Sequence, residues 1–177
     1  MKKLSLFLSV AAFAISAYTP GASALKIVDK KLIFEDLDDT KECIEKFHYN
    51  TGDCLKALDV WMKKNPNASY FQAAQMVQKG SNKYNAVPFY KAAFAKKQGD
   101  CSNTDVLDAV VAGFELPSDA PQVADGKELA FNTCWKEWKD DLAGQIDAKN
   151  SYYLKNTCGE LAKKKALSPE RQKICNS

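Results

Sequence analysis

Apolar residues recur three and four positions apart along most of this chain, which is the period of an amphipathic helix. The pattern is clearest over residues 68–98. Tyr70, Ala73, Ala74 and Val77 mark one apolar face, and Ala86, Phe89, Tyr90, Ala93 and Phe94 mark another. Between them lies a polar break, Lys79-Gly80-Ser81-Asn82-Lys83. Small alanines opposite large aromatics let two helices approach closely, so the stretch predicts a packed helical hairpin.

The flanking segments follow the same period. Asp39 or Thr40 caps a predicted helix through Phe47, with Glu42 and Glu45 near its positive start. Gly52-Asp53 opens the next, with Leu55, Leu58, Trp61 and Met62 on one face and Asn65-Pro66-Asn67 as its end. Beyond Gly99-Asp100, one of Ser102, Asn103 and Thr104 caps a helix striped by Val106, Leu107, Val110, Val111 and Phe114. After a loop with two prolines, Pro117 and Pro121, one long helix is predicted over 123–146. Phe131, Trp135, Trp138, Leu142 and Ile146 line its apolar side. A helix over 151–165 and a short one from Ser168 and Pro169 to Cys175 complete the set. Only residues 25–36 have strand character, in Ile27, Val28, Leu32, Ile33 and Phe34. One strand has nothing obvious to pair with, so an extended N-terminal arm lying on the helices is expected. The fold class is all-α: seven or eight short helices in a disulfide-stapled bundle or a short helical-hairpin array.

The central hairpin resembles a single tetratricopeptide repeat. Tyr70, Ala73, Ala74, Val77, Ala86, Tyr90 and Ala93 stand where that family alternates large and small residues. The likeness spans one repeat of about 34 residues, and no second copy follows at that period. Pro88 departs from the pattern, since it falls inside the second helix. Residues 55–77, through Val60-Trp61, Asn65-Pro66 and Ala73-Ala74, are similar to the helical immunity proteins that protect bacteria from type VI amidase effectors. That resemblance implies inhibition by plugging an enzyme's active-site cleft.

The first 24 residues change the setting. Lys2 and Lys3 precede a nearly uninterrupted apolar run, Pro20 and Gly21 break it, and Ala22-Ser23-Ala24 supplies small residues for a signal peptidase. The run is too short for a membrane span, so residues 1–24 read as a bacterial signal peptide and 25–177 as one helical domain. The two lysines are the leader's only charges, so its loss takes the net charge from +3 to +1. A near-neutral chain is not built to grip nucleic acid by bulk charge, and no second long apolar run predicts membrane insertion. The expected location is the periplasm or the medium.

The six cysteines are Cys43, Cys54, Cys101, Cys134, Cys158 and Cys175. An even number in an exported chain reads as three disulfides. No Cys-x-x-Cys pair occurs, which removes the common redox, haem-attachment and zinc-knuckle readings. In an antiparallel helix pair, residues equidistant from the turn face each other. The turns near Pro117, near Leu167 and near Thr51 therefore predict pairing of sequence neighbours: Cys43 with Cys54, Cys101 with Cys134, Cys158 with Cys175.

Candidate chemistry is sparse. His48 is the only histidine and sits five residues from Cys43, whose thiol the predicted disulfide removes from any nucleophile pair. Glu35-Asp36-Leu37-Asp38-Asp39 lacks the glycine and distal glutamate of a calcium loop and reads as an acidic helix start. Asp140 and Asp141 point about 100° apart on a helix and suit a solvated face. Lys163-Lys164-Lys165 suits a helix end. No nucleophile elbow, phosphate loop or dinucleotide fingerprint is present. The sequence therefore points to a non-enzymatic protein-binding module without cofactor or metal, whose partner is another periplasmic or secreted protein. Tyr70, Tyr84 and Tyr90 on the hairpin and the pair Tyr152 and Tyr153 are the candidate contact residues, as aromatics enriched at interface centres. The alternatives are an inhibitor of a secreted cell-wall hydrolase, and a carrier holding an apolar ligand among Phe114, Phe131, Trp135 and Trp138.

Overall fold

A computed structural model describes residues 25–45 and 50–177. The signal-peptide assignment, Phe47 and His48 lie outside the described residues.

Local side-chain chemistry sets where six of the nine described helices begin. Asp36 Oδ1 accepts the backbone N–H groups of Asp38 and Asp39, and Asp39 Oδ2 reaches back to those of Glu35 and Asp36. This reciprocal arrangement starts α1 (Asp38–Glu45) and uses the acidic run as a cap. Asn50 caps α2 (Thr51–Met62) by accepting from Asp53 N at 2.9 Å. Ser69 and Gln72 form a capping box for α3 (Tyr70–Gly80). After Ser81 and Asn82, a 3₁₀ turn (Lys83–Ala86) leads into α4 (Val87–Ala95). Pro88 falls in the first turn of α4, where a missing N–H costs nothing. Asn103 caps α5 (Thr104–Phe114).

The long helix expected over 123–146 is instead four pieces. These are α6 (Pro121–Lys127), a π-helical turn (Glu128–Thr133), α7 (Trp135–Gly144) and a 3₁₀ turn (Gln145–Ala148). Cys134 leaves helical geometry at φ −109° and ψ 16°, while its N–H still bonds Leu129 O at 2.7 Å. The wide turn shifts the helix face, so Ala130 and Phe131 before the break and Trp138 and Leu142 after it all point inward. The break also delivers Cys134 to Cys101, and the Trp138 indole N–H donates to Cys101 O at 2.7 Å. Asn150 and Ser168 cap α8 (Ser151–Lys163) and α9 (Pro169–Cys175). Nine α-helices thus occur among the described residues. Lys97, Lys149 and Lys165 adopt φ between 54° and 59° just past helical segments, where glycine is usual.

The extended arm does not lie alone. Strands β1 (Lys26–Val28) and β2 (Lys31–Ile33) pair antiparallel with Ile27 opposite Leu32. The strand finds its partner two residues later, through a turn at Asp29 and Lys30 with φ 49° and 62°. Such turns favour Asn-Gly or Asp-Gly, and the lack of glycine hides this one from the sequence.

The buried apolar residues form one cluster from Leu25 to Leu161. Helix α3 packs against α4 and α1, and α5 packs against α6 and α8. The predicted disulfides are the ones present: Cys43–Cys54 ties α1 to α2, Cys101–Cys134 ties the approach to α5 to the break before α7, and Cys158–Cys175 ties α8 to α9. Three closed disulfides fit an oxidising compartment. No described helix is long and apolar enough to cross a membrane.

The enclosed loops span 33, 17 and 11 residues. Loop-closure entropy then ranks the bridges. Replacing both cysteines of the 101–134 bridge by alanine is expected to lower stability by about 3.7 kcal/mol, against about 3.1 for 158–175 and about 2.8 for 43–54. Denaturant unfolding of the three double variants checks this, and a reversed ranking contradicts the loop-closure account.

Candidate functional site

The hairpin's geometry decides which of its side chains meet solvent. Alternation along paired strands puts Leu25, Ile27, Leu32 and Phe34 on one face. At the root, Leu25 and Phe34 are buried, each about 5% exposed. Next along that face Ile27 is 46% exposed, and on the opposite face Val28 is 48% and Ile33 43% exposed. Across from β2, Val60 on α2 is 59% exposed. These four and Tyr152 are the large apolar residues left exposed among those described.

Between hairpin and α2 runs an open groove of about 470 Å³. Val28, Leu32 and Ile33 form one wall, and Ala57 and Val60 the other. Lys30, Lys31 and Lys56 edge it against Asp29 and Asp53, and Lys56 pairs with Asp53 at 3.2 Å. The result is an apolar slot with a slightly basic rim. A second groove, about 410 Å³, lies beyond α2 and is lined by Leu37, Trp61, Asn65, Pro66 and Gln72 among others. Val60 and Trp61 are consecutive, so α2 is the ridge between the two grooves.

The candidate tyrosines fare differently. Tyr90 is fully buried, packs on Phe71 at 5.3 Å between ring centres, and donates to Gln78 Oε1 at 2.5 Å. Gln78 Nε2 in turn donates to Asp105 O at 2.9 Å, joining α4, α3 and α5. Tyr153 is buried edge-on against Phe114 and donates to Leu142 O. Tyr70 is also buried, and its hydroxyl bonds Asp59 Oδ1. Burial pushes all three phenols above the ordinary tyrosine range, and for Tyr70 the hydrogen bond and charge of Asp59 add to it. They remain proton donors at any physiological pH. An exposed contact role is therefore corrected for Tyr70, Tyr90 and Tyr153: their hydroxyls pin helices together, and a polar tip needs such a partner once its ring is buried. Tyr84 is half-buried and accepts from Asn82 Nδ2, while Tyr152 is 48% exposed.

Other candidates are absorbed structurally. Lys164 stacks over the Trp135 ring and Lys163 pairs with Glu160. Asp140 and Asp141 are exposed. Phe114 stacks on Phe131, which meets Trp135, so these rings fill space rather than bound either groove. No group of three or more metal-ligating side chains occurs among the described residues.

The chain matches no protein-family model, and comparison with curated proteins and with solved structures returns no match either.

Sequence reasoning missed the hairpin groove. The available signal was the pair of matching triplets, Lys26-Ile27-Val28 and Lys31-Leu32-Ile33, on either side of Asp29 and Lys30.

Replacing Tyr90 by phenylalanine takes the donor from half-buried Gln78 Oε1 and is expected to cost about 1–1.5 kcal/mol. Tyr84→Phe is expected to stay within about 0.5 kcal/mol. Urea unfolding of both variants measures this, and equal losses would contradict the bridging role of Tyr90.

Proposed function

We propose that the chain is an exported, non-enzymatic protein-binding module that docks its partner in the apolar groove between the hairpin and α2. The observation that carries this reading is the concentration of exposed apolar side chains at one place. Val28, Ile33 and Val60 stand together at the groove. Apolar side chains clustered at an open concave surface mark a contact site more than scattered ones do. The two-stranded sheet also leaves backbone edges to which a partner strand can add. The rim, with three lysines against two aspartates, favours a partner segment that is apolar with a few acidic residues.

A second reading, an inhibitor of a secreted cell-wall hydrolase, draws on the neighbouring groove. Trp61, Asn65 and Pro66 carry the resemblance to amidase-immunity proteins and also line that groove. In this reading the α2 ridge enters the enzyme's cleft, with Val60 and Trp61 foremost.

The test is capture of the partner from the periplasm and medium of the native host with the tagged, oxidised chain. Ile33→Lys combined with Val60→Lys is expected to weaken capture by roughly ten- to a hundredfold, a loss of about 1.4–3 kcal/mol. Tyr152→Ala is expected to leave it unchanged. Loss at Tyr152 with retention in the double variant would move the site to α8. A captured cell-wall hydrolase whose activity falls on binding would select the second reading.

A further inference from the structure

The backbone nitrogen of Leu25 makes a long-range contact with a carboxylate. Leu25 N donates to Glu42 Oε2 at 3.2 Å, across 17 residues. The Leu25 side chain is 5% exposed, and Glu42 is half-buried on α1. The next residue, Cys43, is fully buried and bridged to Cys54 on α2. Glu42 is therefore fixed relative to the helix that forms the far wall of the groove. The bond preceding Leu25 follows Ala22-Ser23-Ala24, the small-residue pattern of a leader-cleavage site.

We infer that processing cuts the Ala24–Leu25 bond and that the α-ammonium released on Leu25 forms an ion pair with Glu42, locking the root of the hairpin onto α1. The inference rests on the export reading. Hydrolysis breaks the C–N bond: water supplies the oxygen that makes Ala24 a carboxylate, and its protons complete the ammonium on Leu25. An amide with one proton becomes a cation with three, beside a carboxylate already within hydrogen-bonding distance. A charge-assisted bond is about twice as strong as a neutral one. Cleavage acts on the emerging, unfolded chain, so the burial of Leu25 in the folded state does not obstruct it. Once folded, the ammonium ties β1 to α1 while the Cys43–Cys54 bridge ties α1 to α2. Both walls of the groove then hang on one frame. In the uncleaved chain Leu25 N carries no charge.

Two measurements decide this. The first is N-terminal sequencing of the chain exported with its own leader. Leu25 as first residue is expected. A cut at another bond overturns this inference and leaves export standing, whereas an uncut chain retained in the cytoplasm overturns both. The second compares melting of a chain beginning at Leu25 with one beginning at Gly21, each with Glu42 or with Glu42→Gln. The Leu25 form is expected to melt about 2–4 °C higher, the shift of a single modest interaction in a chain of this size. Glu42→Gln, which keeps the shape and an acceptor oxygen, is expected to abolish that difference. A difference that survives in the Gln variants, or that is absent from the Glu forms, overturns the ion pair.

Discussion

Short helices cannot hold themselves. Those described here run from 7 to 13 residues, below the length at which an isolated helix is stable in water. Each disulfide supplies what length does not: the cysteines pair in chain order, first with second, third with fourth and fifth with sixth, and two of the bridges clamp consecutive helices, α1 to α2 and α8 to α9. The constraint reaches past the bridged residues. Bringing Cys134 to Cys101 coincides with the π-helical turn and the break before Trp135, and that break lets Phe131 and Trp138 face the same interior. The bridge between α1 and α2 likewise holds the helix that carries Val60.

Within that frame, buried tyrosines act as cross-ties. Tyr90 reaches α5 through Gln78, and Tyr153 reaches α7 through Leu142. Alanines at positions 73, 74, 86 and 93, all fully buried, allow the close approach that these hydroxyls require. A ring at the core with its hydroxyl bonded to another helix specifies one packing arrangement more sharply than an apolar ring does.

Most of the fold was legible in the sequence because helical period, caps and cysteine spacing are local signals. Asn103, Ser168 and Pro169 act as read, and turn symmetry identifies all three disulfides. The misreadings share a cause: they concern what tertiary contacts decide. The apolar stripe over 123–146 is continuous in sequence, yet the helix breaks at Cys134, where the bridge to Cys101 closes. Tyr70 and Tyr90 fall on the very faces whose period predicts a packed hairpin, so their burial follows from the pattern that nominated them for contact. The hairpin groove was invisible for a different reason. Its turn is closed by Asp29 and Lys30 in left-handed geometry, without the glycine that usually announces such a turn.

What remains outside the core is a small apolar slot held between a hairpin and a disulfide-anchored helix. The proposed meeting with another protein takes place in this slot. Amide hydrogen exchange of the oxidised chain, alone and in the complex recovered from its host, tests that placement. Added protection confined to residues 26–33 and 53–61 is the predicted result. Protection concentrated on 81–94 or 150–156, with the hairpin and α2 unchanged, would contradict it.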